Sequence, residues 1–183
     1  MTSKTKLVTT RLELRSFQKT DYAQVHEYSS DSTVTHFMTW GPNTTEETHN
    51  FIKKTINYQK EKPQTHYPLA IVTKNQNRLI GGCGIIISNI ENSQGYIGYC
   101  LNQKFWGQGY ATETAHALLN FGFNHLNLHR IFAFCDPANT ASSHIMEKIG
   151  MKYEGHFREN THYKNGWHDE VIYAILKKEW KSK

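Results

Sequence analysis

No stretch of this chain is apolar for long enough to cross a bilayer. The longest nearly unbroken apolar run, Ile80 to Ile87, falls well short of the about 20 residues that a membrane helix requires. The opening MTSKTKLVTT also lacks the apolar centre of a secretory signal. Cysteine is scarce and odd in number: Cys83, Cys100 and Cys135 are widely spaced within segments that read as strands, which suits reduced, buried thiols rather than a disulfide framework. A soluble, cytoplasmic protein is expected. Two nucleotide-binding loops are missing as well, since there is neither a GxxxxGKS/T run nor a complete GxGxxG with an acidic residue further on, so neither a kinase nor a dinucleotide dehydrogenase is indicated. Eleven histidines do not make a metal site: CxxC and HExxH are absent, and His125 and His129, four apart, straddle a predicted helix end. No metal is expected. There is no internal repeat, linker or low-complexity tract, and 183 residues at 38% hydrophobic content suit one domain, 1–183, with a substantial core. The net charge of +5 and pI near 9.0 come from scattered lysines, with no basic stripe interleaved with aromatics. Sequence-specific nucleic-acid binding is not indicated, although a basic surface can be drawn to anionic assemblies such as ribosomes.

What the chain does have is concentrated between residues 101 and 151. In Trp106-Gly107-Gln108-Gly109-Tyr110-Ala111-Thr112, two glycines permit positive φ and close approach, so that successive N–H groups can face one concavity that suits an anion. An amphipathic helix follows, with Ala111, Ala115, Leu118, Leu119, Gly122 and Leu126 recurring at spacings of three and four. Its free N–H groups and positive dipole end favour a diphosphate, unless the glycines serve only to turn a strand into a helix. Before the turn, Gln94 to Leu101 reads as a strand, with Gly98 in its interior marking a bulge or a close backbone approach. After the helix, Arg130 to Cys135 is a second short apolar strand, so the three elements form a βαβ unit with parallel strands. Asn139-Thr140-Ala141-Ser142 opens another helix, with Ile145, Met146 and Ile149 on one face and Gly150 beyond its end. Asn139 can cap that helix or meet a ligand, and Ser142 can be solvated or functional.

Taken together, Tyr99-Cys100-Leu101, the run Trp106 to Glu113, Arg130, Asn139 to Ser142 and Glu147 to Met151 resemble the GNAT superfamily of acetyl-CoA-dependent N-acetyltransferases. The resemblance is strongest to the branch that acetylates the N-terminal amines of ribosomal proteins. The ends agree, Thr10 to Arg15 with Asp21-Tyr22 resembling that branch's opening strand and helix, and Asn165 to Asp169 with Tyr173 its closing hairpin. The family's usual Arg or Gln falls on Trp106 here. The resemblance implies an α/β (α+β) domain: a mixed sheet of six to seven strands, splayed in the middle and flanked by about four helices. It implies acetyl-CoA as co-substrate, held by the backbone of Tyr99, Cys100 and Leu101, by the loop Gly107, Gln108, Gly109, Tyr110, Ala111 and Thr112, and by Asn139 and Ser142. A backbone N–H at Cys100 or its neighbours becomes the oxyanion donor, and Ser142 the proton donor to sulfur, with Tyr153 as the alternative. Cys100 could also act covalently, against the plainer reading of a buried packing residue.

At the amino end, Leu7 to Phe17 alternates as a strand and Asp21 to Ser30 reads as a helix. Thr44 or Thr45 then caps a second helix through Tyr58. Tyr67 to Thr73 and Leu79 to Ser88 read as antiparallel strands. In the family the first two helices wall the acceptor cleft, and the aromatic segment His36 to Pro42 between them either grips substrate or plugs the sheet. The general base is not resolved: the branch often carries Glu where this chain has Tyr96, which leaves Glu91, His36, Glu47, Tyr96 or a water. The acceptor is a protein N-terminus or a small amine such as a polyamine, antibiotic or amino acid. An acyl-CoA sensor without turnover is a third reading, and self-association into a homo-oligomer is left open.

Overall fold

The alternation of Leu12 and Leu14 with Glu13 and Arg15 does make a strand, but a shorter one than the run Leu7 to Phe17 suggests. In the structure, a computed structural model that describes residues 5–164 and 166–180, the chain folds back at Thr9 to Arg11. It forms a hairpin of β1 (Lys6–Val8) and β2 (Leu12–Ser16), with Leu7 opposite Leu14. The Thr9 hydroxyl accepts the Leu12 N–H at 2.9 Å, a local bond that competes with continued extension. This division brings the sheet to eight strands. Asn165, at the start of the closing-hairpin motif, lies outside the described residues.

The predicted helix over 21–30 is α1 (Tyr22–Ser29), entered through a short 3-10 turn. The buried Asp21 anchors that turn, bonded by both outer nitrogens of Arg15 at 2.8 Å and by the Gln18 N–H at 2.8 Å. Helix α2 (Thr45–Tyr58) starts at Thr44 in a capping box: the Thr44 hydroxyl accepts the Glu47 N–H, while Glu47 accepts the Thr44 N–H at 2.7 Å. The predicted strands follow as β3 (His66–Thr73), β4 (Arg78–Asn89), β5 (Gln94–Leu101) and β6 (Arg130–Cys135). Helix α3 (Tyr110–Asn124) crosses between β5 and β6, and α4 (Thr140–Lys148) follows β6, ending beside Gly150 at φ 89°. A long hairpin, β7 (Lys152–Tyr163) and β8 (Gly166–Leu176), closes the chain.

The sheet order is β1-β2-β3-β4-β5-β6-β8-β7, antiparallel except for the parallel pair β5–β6. Because β3 is buried on both faces, its side chains divide between two cores. Leu69 and Ile71 join Leu118, Leu119 and Phe123 of α3, whereas Ala70 and Val72 join Val25 of α1 and Ile52 of α2. Complete burial of such side chains stabilises the fold by roughly 1.5–3 kcal/mol each. Helix α3 lies so close to the sheet that a Cβ on Gly122 would meet Ile131 at 2.5 Å and Ile85 at 2.7 Å, so glycine sets the depth of the helix. Among the described residues no helix is long and apolar enough to cross a membrane.

Candidate active site

Strands β5 and β6 run together for only three rungs, Gln94 with Arg130, Gly95 with Ile131 and Tyr96 with Phe132. Beyond Tyr96 each strand keeps its outer partner, β5 pairing with β4 to Leu101 and β6 with β8 to Cys135, so the inner edges part. A parted pair exposes backbone groups that an extended ligand can bond as an added strand. One of the two sequence readings of Gly98 falls away here: the register shift between β4 and β5 is at Ile87 and Asn89, so this glycine marks no bulge, and a Cβ on it would meet nothing within 4 Å. It leaves open space beside the parting strands.

The carboxyl end of β5 leads to the glycine turn, where Gly107 (φ 72°) and Gly109 (φ 78°) adopt the left-handed region that favours glycine. Gly109 is the N-cap residue of α3, and no side chain caps that end. The N–H groups at the positive end of the helix dipole are therefore left without a side-chain cap, the arrangement that an anion seat requires. Trp106, at the position of the family's Arg or Gln, donates its indole N–H to the Leu101 carbonyl at 2.8 Å and so ties the turn to the strand end.

A further tie comes from the β1–β2 turn, which the sequence did not connect to this site. Arg11 donates through Nε to Glu113 at 2.6 Å and through Nη1 to the Gln108 carbonyl at 2.9 Å, and its guanidinium stacks 4.4 Å above the Tyr110 ring. The Thr9 hydroxyl and the Arg11 N–H complete the Glu113 carboxylate at 2.6 and 2.8 Å. Burial alone would raise the Glu113 carboxyl, but these bonds outweigh it and hold it below its ordinary value.

On the other side of the opening, Asn139 caps α4, its side-chain oxygen accepting the Ser142 N–H at 3.2 Å. The capping role of Asn139 is thus filled, while its amide nitrogen stays available for a ligand. Ser142 sits in the first turn of α4, the helix that starts just past β6, at the same sheet end as the glycine turn. Burial pushes the Tyr99 phenol up to about 12, and the Ser142 hydroxyl lies close enough to offset part of that effect although it falls outside hydrogen-bonding geometry. The Cys100 thiol is pushed up to about 12 by burial, which leaves no thiolate for covalent attack at neutral pH and favours the packing reading. Tyr153 is displaced from the opening: it lies on β7, 55% exposed, against the Tyr173 ring.

The face of the sheet toward α1 and α2 carries an aromatic floor. The Tyr96 ring lies 5.6 Å from both Phe132 and Phe134, at the point where the strands part, and Phe134 is 43% exposed. Lys164, at the end of the closing hairpin, donates to the Thr35 carbonyl at 2.6 Å and so bridges to the loop that holds the exposed His36.

The carboxylates considered as bases are placed elsewhere. Glu47 is occupied by the α2 cap, whose Thr44 bonds lower its pKa, and Glu91 is exposed in the β4–β5 turn at the far end of β5. The Tyr96 phenol is raised by burial and by Tyr58, which opposes the anionic form a base requires. Among the described residues no group of three or more His, Cys, Asp or Glu is arranged to hold a metal.

These residues fit the extended, diphosphate-bearing arm of acetyl-CoA: a parted strand edge, open space at Gly98 and an uncapped helix start. Comparison with known proteins agrees. The acetyltransferase (GNAT) domain profile matches residues 11–152. The uncharacterized N-acetyltransferase YnaD of Bacillus subtilis is 38% identical over 175 residues, 95% of this chain and 98% of that protein. The putative ribosomal N-acetyltransferase YdaF of the same organism is 33% identical over 101 residues, 54% of this chain and 55% of its own. A crystal structure of a GNAT-family acetyltransferase from Bacillus anthracis superposes with a TM-score of 0.84 at 37% identity, covering 96% of this chain and 100% of that one. The domain match takes in the parting strands and both helix starts that border them, and on that basis the chain belongs to the GNAT family of acetyl-CoA-dependent N-acetyltransferases.

Proposed function

We propose that this acetyltransferase, acting as one unit over 1–183, modifies the N-terminal α-amine of a protein, with ribosomal proteins as the acceptor class. The observation that carries this reading is the apolar floor of Tyr96, Phe132 and Phe134 where the strands part, together with the tie of the β7–β8 hairpin, through Lys164, to the Thr35 carbonyl in the loop that holds His36. An α-amine has a pKa of about 7.7–8.0 and is partly neutral near pH 7, whereas a lysine amine at about 10.4 needs a strong base beside it. Glu47 and Glu91 do not lie there, which leaves His36 or a water among the bases named from the sequence and favours an acceptor amine that is already partly neutral. The name of the YdaF relative adds weight to a ribosomal acceptor.

In this reading the N–H groups of Gly107 to Thr112 hold the diphosphate, and the edge of Tyr99 to Leu101 aligns the pantetheine arm with help from Asn139. The amine attacks the thioester carbonyl, a backbone N–H at Cys100 or its neighbours stabilises the oxyanion, and Ser142 supports the departing sulfur. Intact-mass measurement after incubation with acetyl-CoA and ribosomal proteins tests the proposal. Addition of one acetyl group to an α-amine is expected. Acetylation of small amines alone would replace it with the small-molecule reading, and acetyl-CoA binding without thiol release on any amine would favour a sensor.

A further inference from the structure

A histidine and a carboxylate stand together on the face of the aromatic floor, beyond the point where β5 and β6 part. Continued from Tyr96 opposite Phe132, the register sets Gly98 level with Phe134, and Cys100 level with Asp136. Phe132, Phe134 and Asp136 alternate onto one face of β6 and its extension. On the neighbouring strand Ile172 lies opposite Phe134, so Glu170 and His168, two and four residues before it, share that face. The His168 Nδ1 lies 3.6 Å from one carboxylate oxygen of Asp136, whose other oxygen accepts the Ala138 N–H at 2.8 Å. The Tyr163 ring stacks 3.9 Å from the imidazole. Two neighbours thus fix the ring, yet the His168 side chain stays 33% exposed, and among the described residues nothing bonds its Nε2.

The other titratable groups on this side do not compete. Burial, and then Asp136 and Glu170, push the Tyr163 phenol up, so it keeps its proton. Glu170 accepts from the Asn160 amide, and the Lys164 ammonium is bound to the Thr35 carbonyl. His36, in that same loop, packs edge-on to Phe37, and among the described residues no carboxylate pairs with it.

We propose that His168, oriented by Asp136, accepts the proton that the acceptor amine loses as its nitrogen attacks the thioester. The inference rests on the reading of the β5–β6 opening as the seat of acyl transfer to an amine. The nitrogen bonds to the carbonyl carbon while one N–H proton passes to Nε2, directly or through one water, and the carbonyl π pair moves to oxygen. That pair returns as the C–S bond breaks, and the C–S electrons leave with sulfur. The Asp136 carboxylate stabilises the imidazolium, which then returns its proton through solvent to the thiolate. Imidazole suits the task because no other unperturbed side chain changes charge so close to neutrality.

The test compares two titrations of the intact enzyme. The His168 imidazole is followed by NMR, its signal assigned by its absence from His168→Gln. Turnover of an amino-terminal peptide of a ribosomal protein, at saturating acetyl-CoA, is followed over the same pH range. Besides the limb due to the peptide's own amine, an acid limb is expected whose midpoint coincides with that of the imidazole. His168→Gln should lose that limb and about a hundredfold in rate at neutral pH, with acetyl-CoA affinity within about twofold. Asp136→Asn removes the adjacent charge and should move both midpoints down together, by about half a unit or more. Wild-type midpoints more than about one unit apart would overturn the assignment, and this comparison holds even if a substitution unfolds the protein. So would His168→Gln with the limb intact and the rate within about threefold of the wild type. Transfer to small amines alone, with the same limb, would retain His168 and strike the α-amine acceptor, whereas no transfer to any amine would strike both.

Discussion

Arg11 and Glu113 lie 102 residues apart in sequence and meet at 2.6 Å, joining the β1–β2 turn to the first turn of α3 beside the glycine loop. The contact couples the amino-terminal hairpin to the proposed diphosphate seat. Arg11→Ala is expected to lower acetyl-CoA affinity about threefold to tenfold by loosening that loop. Stability should change by less than about 1 kcal/mol, because Arg11 is largely exposed. Calorimetric titration and thermal unfolding separate the two effects.

The same carboxylate sets an acid limit. Glu113 is lowered by its bonds to Thr9 and Arg11 in spite of burial, Glu27 by its bond to Lys104, and Glu154 by its bond to Arg130. Groups depressed on folding contribute stability above their unfolded pKa, and that contribution is lost as pH falls through the folded value. Unfolding temperature should therefore be flat above about pH 5 and fall steadily below about pH 4.5. A melting temperature that rose on acidification would contradict the assignment.

Ser142→Ala should reduce kcat about tenfold or more while the acetyl-CoA KM stays within about twofold. Steady-state kinetics decide this, since equal losses in turnover and affinity would reassign Ser142 to binding.

Gly109 adopts φ 78°, a region that costs an L side chain about 1–2 kcal/mol. A Cβ there would also come within 3.4 Å of the Arg11 guanidinium. Gly109→Val is expected to weaken acetyl-CoA binding about tenfold or more, and Gly109→Ala less, as read by calorimetry. Equal binding by all three proteins would show that the turn does not contact the donor.

Phe134 is exposed on the face proposed for the acceptor and makes ring contacts with Tyr96 and Phe132. Phe134→Ala should raise the acceptor KM several-fold and leave the acetyl-CoA KM unchanged. A matched change in both would place Phe134 on the donor side.

Thr44→Ala removes the cap of α2 and is expected to cost about 1 kcal/mol, lowering the melting temperature by about 2–4 °C. Calorimetry checks the value, and Thr44→Ser should recover most of it.

Local pattern carried much of this architecture. The strand Gln94 to Leu101, the helix behind the glycine turn, the strand Arg130 to Cys135 and the Thr44 cap were all legible, because each depends on side-chain periodicity or on turn chemistry within a few residues. The run Leu7 to Phe17 misled, since its alternation continues across a turn that the Thr9 side chain closes. Gly98 was legible only in part: a glycine in a strand signals a bulge or a close approach, and it takes the register of the neighbouring strand to exclude the bulge.

The sequence by itself determined that the glycine turn would start a helix, that β5 and β6 would be parallel, and that the chain resembled an acetyl-CoA enzyme. These follow from short-range backbone chemistry and from the order of motifs. Only the tertiary structure decided which groups stand together at the opening: Arg11 against Glu113, Trp106 against Leu101, Tyr99 beside Ser142, and Tyr96 with Phe132 and Phe134. The physical reason is sequence separation. Except for Trp106 and Leu101, which are near in sequence, these partners are far apart along the chain, and pairings of that kind are set by strand register and by the depth at which α3 packs, neither of which leaves a periodic mark in the chain.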